Sequence, residues 1–271
     1  MKKHFLMLAL TTSITFAADT PVTFKDSTLA AVVAQSLPAG LPPGPLTEDR
    51  LQNVTLIRSD SVIKDLSGIE KLPGLRFLYL SKSEISDLKP LANLTNLESI
   101  TIKGGSIQDL SPLANLKKLE FVSITENQIQ DLKPLAGLTV LEHLNLSGNR
   151  ITDLSPVTSL AKLEWLRIPG NQVSDLSPLA NMKKLMMIDL TKNQVKDLTP
   201  LKGLQAWAAL YLDDNQIADV KPLIDDLLPD KSKPVVMVPF RSISIRNNPL
   251  SAQAKSDLPQ LQKLAGSVTV N

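Results

Sequence analysis

The feature that most constrains this 271-residue chain is a pattern that returns every 22 residues. Each unit stays close to L-x-x-L-x-L-x-x-N-x-I-x-D-L-x-P-L-x-x-L-x-x, and seven consecutive units begin at Leu75, Leu97, Leu119, Leu141, Leu163, Leu185 and Trp207. One such unit cannot bury its own apolar side chains and must stack on its neighbours. The period therefore predicts a solenoid with one continuous core.

Within each unit, apolar residues at positions 4 and 6 alternate with polar ones, which is the spacing of a strand with one buried face. Leu144 and Leu146 should point inward. His143 and Asn145 should point outward. A proline at position 16 favours a short helical or 3₁₀ turn on the other side of the unit. The strands are therefore expected to form a parallel sheet along one side of the solenoid.

Two polar columns run along the repeats. Asparagine amides at position 9 can bond backbone groups at the turn after each strand; these are Asn127, Asn149, Asn171, Asn193, Asn215 and Asn248. Carboxylates occupy position 13 in eight units: Asp65, Asp87, Asp109, Asp131, Asp153, Asp175, Asp197 and Asp219. An aspartate before a helical turn accepts backbone N–H bonds, and the period supplies no further calcium ligands. We therefore predict a structural column, with no metal site and no cofactor.

The motif N-x-I-x-D-L-x-P-L resembles that of the internalin-like bacterial leucine-rich-repeat proteins, and it is matched at 127–135, 171–179 and 193–201. The resemblance extends over about 200 residues. It implies an α/β fold, a curved leucine-rich-repeat solenoid with a parallel concave sheet and short 3₁₀ or helical turns on the convex side. It also implies a helical N-terminal cap and a C-terminal cap.

The ends of the chain divide it into four segments. A charged, apolar and then small-residue order is typical of a secretory signal peptide. The segments are a signal peptide at 1–17, a helical cap at 18–52, about nine repeats at 53–250 with the last one partial, and a C-terminal cap at 251–271.

Two places depart from the 22-residue period. In the first repeat Arg58 stands where position 6 should be apolar, which allows for a strand shifted by one residue. About eleven residues near 225–239 exceed the period, as a loop insertion or an enlarged turn.

Composition argues against several classes of function. Without Lys2 and Lys3 of the predicted leader, the chain carries 27 basic and 27 acidic residues, so it lacks the basic footprint of a nucleic-acid binder. It has no cysteine, and His143 is the one histidine beyond the leader. Because catalysis needs a nucleophile, base or metal held in a cleft, we predict that the protein is not an enzyme.

Large side chains gather in the two outward columns of the predicted sheet. Five of the eight aromatic residues beyond the leader lie there. Exposed aromatic patches mark binding surfaces, although such residues can also stabilise a sheet by packing on one another. The candidate ligand-binding residues of the concave face are Phe77, Tyr79, Phe121, His143, Asn145, Trp165, Arg167, Met187, Asp189 and Tyr211.

Glutamates stack at position 2 of four successive units: Glu98, Glu120, Glu142 and Glu164. Like charges in line repel one another. Lysines in the turns just before the strands are expected to offset them: Lys117, Lys118, Lys162, Lys183 and Lys184. The alternative is a glutamate column that faces a cationic partner.

Together these features predict a secreted or periplasmic binding module that recognises a protein or peptide, or alternatively a glycan, through its concave face. It is expected to be a monomer without a membrane span or nucleic-acid partner. The alternative is a structural cell-envelope protein that self-associates through the same face. A hydrolase that uses His143 is a distant third.

Overall fold

A computed structural model describes residues 20–204, 207–228 and 241–270 of the chain. Within these ranges one parallel sheet contains ten strands in chain order. The strands are β1 Leu56–Ser59, β2 Phe77–Leu80, β3 Ser99–Lys103, β4 Phe121–Thr125, β5 His143–Asn145, β6 Trp165–Arg167, β7 Met187–Asp189, β8 Ala209–Tyr211, β9 Ser242–Ser244 and β10 Ser267–Thr269. The predicted curved solenoid is thereby confirmed.

Short 3₁₀ turns connect successive strands from β1 to β8, as the proline at position 16 predicted. They are Ile69–Lys71, Lys89–Leu91, Ser111–Leu113, Lys133–Leu135, Ser155–Ser159, Ser177–Leu179 and Thr199–Leu201. In six of the seven a proline occupies one of the first two positions, where its missing N–H costs no helical hydrogen bond. Each turn buries at least one apolar side chain against the core.

One continuous apolar core runs through all the repeats. Leu144 and Leu146 are buried as predicted, and positions 11, 14, 17 and 20 of the same unit are buried too. Each layer covers the layer before it, so the apolar surface that leaves water is shared between neighbours. The alternation read from the sequence therefore decides which side chains remain on the open face.

The first strand is shifted by one residue, as the sequence allowed. Ile57 pairs with Leu78 at a separation of 21 residues, whereas the strands from β2 to β8 pair at 22. The shift buries Ile57 and Ser59 and turns Leu56 and Arg58 outward. An unpaired arginine is costly to bury, and this register avoids that cost.

The asparagine column bonds each turn to its neighbours. Asn171 Oδ1 accepts a hydrogen bond from Ile151 N at 3.0 Å, and Nδ2 donates to Leu146 O at 3.0 Å and Ile168 O at 2.9 Å. The same pattern recurs at Asn149, Asn193 and Asn215. These amides satisfy buried backbone groups that would otherwise cost about 1 to 3 kcal/mol each.

Helices pack on the core near both described ends of the solenoid. At the N-terminal end, α1 (Ser27–Gln35) and α2 (Glu48–Leu51) precede β1. Asp26 caps α1 through Thr28 N and Leu29 N, and its second oxygen accepts from Lys64 N in the first repeat. At the other end the helix Ala252–Leu264 leads into β10. These helices shield core that the terminal repeats would expose.

The helix α3 (Lys221–Leu227) stands in place of the usual 3₁₀ turn and runs into the insertion near 225–239. Its Asp226 accepts a hydrogen bond from Gly203 N at 2.6 Å and lies 3.9 Å from Arg241 Nη1. In chain order, the C-terminal helix Ala252–Leu264 described above is α4. The rest of the insertion, with Phe240, and the predicted signal peptide lie outside the described residues.

Candidate ligand-binding face

The ten predicted site residues lie on β2 and on β4 to β8, at the two outward strand positions. The sheet register aligns them in two columns that cross the strands. Phe77, Tyr79, Trp165 and Arg167 are exposed. The others are half-buried, except Asp189, which is buried. β3 places only Ser99 and Thr101 between the aromatic residues of β2 and those of β4.

The centre of the face is a row of three rings. The Phe121 and His143 ring centroids lie 5.7 Å apart, and the His143 and Trp165 rings meet edge-on at 4.7 Å. The two interpretations of these residues are thus not exclusive, because the rings pack along the sheet while Trp165 stays 43 % exposed. The row presents a rigid apolar surface to solvent.

Two of the predicted polar contacts are engaged in the protein's own turns. Asp189 Oδ1 accepts from Thr191 N at 3.2 Å, and Oδ2 lies 3.6 Å from Arg167 Nε. Asp189, predicted to be part of the ligand-binding face, is buried and lies against Arg167. Asn145 Oδ1 likewise accepts from Ser147 N. Within the described chain the Asn145 amide nitrogen has no acceptor, so it can still donate.

Residues that the sequence analysis left out of the site extend the face over β1. Leu56 and Arg58 lie beside Phe77 and Tyr79 in the register. The Arg58 guanidinium lies 4.9 Å from the Tyr79 ring centroid, a cation–π distance. The arginine in an otherwise apolar position is the sequence signal for the changed register, and the same signal indicates this extension of the face.

The glutamate column is neutralised at one end alone. Arg76 forms two hydrogen bonds to Glu98, at 2.8 and 2.7 Å, and these bonds lower the pKa of the Glu98 carboxyl. The charge of Lys118 also lowers it, but Lys118 Nζ donates to Asn96 Oδ1. Lys117 and Lys183 bond to backbone carbonyls of the turns. The expected offset by lysine is therefore seen at Lys118 as a charge effect without contact, since no described lysine forms an ion pair with the column.

The aspartate column has the structural role that was predicted. Asp153 accepts from Ser155 N at 2.7 Å and from Ser155 Oγ at 2.8 Å, and every aspartate of the column accepts from the N–H two residues later. Bonds to the residue at position 15 lower the pKa of Asp65, Asp109, Asp153 and Asp197. In the described part of the chain no three acidic or histidine side chains converge as metal ligands would.

Comparisons with known proteins identify the family. Residues 73–115, 116–162 and 139–181 match the model described as Leucine Rich repeats (2 copies). The crystal structure of internalin C2 from Listeria monocytogenes is 34 % identical, with a TM-score of 0.69, over 76 % of this chain and 93 % of that one. The chain belongs to the internalin-like family of bacterial leucine-rich-repeat proteins. Such proteins are in general protein-interaction modules.

Two further structures agree with the internalin-like fold. The internalin InlF from Listeria monocytogenes is 26 % identical over 93 % of each chain, with a TM-score of 0.64. A leucine-rich-repeat protein of Leptospira interrogans is 21 % identical over 83 % of this chain and 51 % of that one, with a TM-score of 0.59. At that identity the last likeness concerns the fold alone. A comparison with curated protein sequences gives no match.

Proposed function

We propose that this internalin-like protein binds a protein or peptide partner on the concave face of its sheet. The observation that carries the proposal is Trp165, a large aromatic held by His143 on one side and left 43 % exposed on the other. Aromatic anchors in the centre of a patch dominate binding energies, and they are costly to leave in water without a partner. Arg167, held by Asp189, adds a charged group beside this anchor.

The proposal places the protein outside the cytoplasm, secreted or periplasmic. Its support is the order of charged, apolar and small residues at 1–17, and membership of the internalin-like family. None of the helices in the described ranges is both long and apolar enough to cross a bilayer.

The proposal includes no catalysis. His143 is flanked by Phe121 and Trp165 on an open sheet face. A catalytic histidine would need a nucleophile within hydrogen-bond reach and donors for a developing oxyanion. Substituting His143 with glutamine should therefore alter binding rather than abolish a reaction.

Trp165→Ala tests the proposed function. A partner is first isolated with the immobilised wild-type protein from envelope or host extract, then identified and purified. We expect the substitution to weaken binding of this purified partner by about thirtyfold or more, because truncation of a central anchor typically costs about 2 kcal/mol. Biolayer interferometry measures the Kd, and thermal unfolding should show a nearly unchanged Tm.

Val62→Ala is the matched control, because Val62 is an exposed apolar residue in the turn after β1. It should leave both the Kd and the Tm unchanged. A much lower Tm for Trp165→Ala would make the tryptophan a packing residue. Unchanged Kd and Tm would move the binding site to the convex side or the insertion.

A further inference from the structure

The first two repeats carry a second exposed patch on the concave face, which we call the β1–β2 patch: Leu56, Arg58, Phe77 and Tyr79. Leu56 is 48 % exposed, and Phe77 and Tyr79 are each 37 % exposed. The patch exists because the 21-residue spacing of the first repeat turns Leu56 and Arg58 outward. Apolar side chains grouped in this way on a soluble surface indicate a binding site.

Arg58 is oriented but not neutralised. Its guanidinium stacks on Tyr79 at 4.9 Å, and it forms no hydrogen bond or ion pair with any other described residue. Arg76, which lies 5.0 Å over the Phe77 ring, differs because its Nε and Nη2 groups both donate to the Glu98 carboxylate. A stacked guanidinium with free donors is suited to two parallel hydrogen bonds with a planar carboxylate.

We propose that the β1–β2 patch binds an acidic and apolar segment of the protein partner. An aspartate or glutamate of that segment pairs with Arg58, and a neighbouring apolar side chain contacts Leu56 and Phe77. This inference rests on the proposed function of the concave face. Charge complementarity favours an acidic occupant. Asp60, the acid that follows β1, accepts a hydrogen bond from Ser81 Oγ and does not pair with Arg58, so the positive charge of Arg58 is left for the partner.

The spacing of the two patches indicates a protein or peptide rather than a small ligand. Tyr79 lies on β2 and Trp165 on β6, so four strand spacings separate them. At about 4.8 Å per spacing this is roughly 19 Å, or about six residues of extended chain. Because Arg58 lies one strand further away, on β1, and stacks on Tyr79, one segment that contacts both patches places its acidic residue about six to seven positions from the residue that meets Trp165.

Peptide selection on the purified full-length mature protein tests this inference. The probe is a random peptide library whose members are about twelve residues long, roughly twice the span between the patches. We expect the selected peptides to share an Asp or Glu beside an apolar residue. They should bind Arg58→Gln about tenfold more weakly than wild type, and bind the control Arg150→Gln as well as wild type. Arg150 is likewise exposed, but it lies in a turn after β5.

A charge reversal separates recognition from loss of structure. Arg58→Glu should lose the selected peptides and bind versions in which Lys replaces the shared acid, while the Tm stays within a few degrees of wild type. A selection without shared acids, or with peptides indifferent to Arg58→Gln, overturns the inference. If the selected peptides are indifferent to Arg58→Gln but lose affinity for Trp165→Ala, the proposed function stands and only the inference about the β1–β2 patch fails. Peptides indifferent to both residues, or none selected, count against both proposals.

Discussion

At the scale of single residues, the direction of each side chain decides its energetic role. Leu144 and Thr101 occupy strands two units apart, but the first is fully buried and the second lies half-exposed on the open face. Removing a buried methyl group loses transfer free energy and leaves a cavity. Removing one from the face does neither.

We expect Leu144→Ala to lower the free energy of unfolding by about 2 to 5 kcal/mol, and Thr101→Ala to change it by about 0.5 kcal/mol or less. Urea unfolding followed by circular dichroism gives both values. Equal losses at the two positions would show that the inward and outward columns are reversed.

Residue directions could be predicted from the sequence because they follow from the local period, but contacts between side chains could not. The period placed Asp189 on the open face, yet its carboxylate bonds Thr191 N and lies against Arg167. The lysines near the glutamate column were close in sequence, but Lys117 reaches turn carbonyls instead. Long side chains choose partners by three-dimensional distance, which a linear pattern does not encode.

At the scale of elements, each turn contains an aspartate whose charged form is hydrogen-bonded. The bonds from Ser111, Ser155 and Thr199 hold the pKa of Asp109, Asp153 and Asp197 below the ordinary value of 3.8. A carboxyl with a lowered pKa in the folded state stabilises the fold fully above its unfolded pKa. That contribution is lost as the pH falls through the folded pKa.

The triple variant D109N/D153N/D197N should therefore lose less stability than wild type between about pH 5 and pH 2. Chemical unfolding at a series of pH values measures this slope. Parallel profiles for variant and wild type would show that these carboxylates do not contribute.

Because the column is structural, neither a chelator nor calcium should shift the Tm, and a clear shift on adding calcium would contradict that role.

The elements were predictable wherever the repeat is regular, and less so where it breaks. Proline at position 16 predicted the 3₁₀ turns. Arg58 indicated that the first strand is shifted, but the outward position of Leu56 could be assigned only from the observed register. The helix α3 replaces a turn because the insertion lengthens the chain there, and its contact with Gly203 involves an aspartate outside the repeat pattern.

At the scale of the whole molecule, the sheet is open, and its ends are the places where another chain could add. At the described N-terminal end, Asp26 joins the cap to the first repeat through Lys64 N. At the other end the edge strand β10, which pairs with β9, is only three residues long. A covered edge and a very short edge strand both oppose strand addition between molecules.

We therefore expect light scattering of the purified protein to give the mass of one chain across a range of concentrations. A defined oligomer would contradict this and favour the alternative of an envelope protein that self-associates. If Trp165→Ala dissolved such an oligomer, the concave face would be the self-association surface.

The uniform strand register also bears on how such a chain can change its length over evolutionary time. Leu144 pairs with Leu166 as Ile100 pairs with Val122, one unit later in each case. Duplicating or excising one complete unit preserves the layer-to-layer contacts, whereas a slip of one residue within a strand would turn its inward residues onto the open face. The binding surface can thus be widened or narrowed in discrete increments by recombination between like units, without redesign of the scaffold.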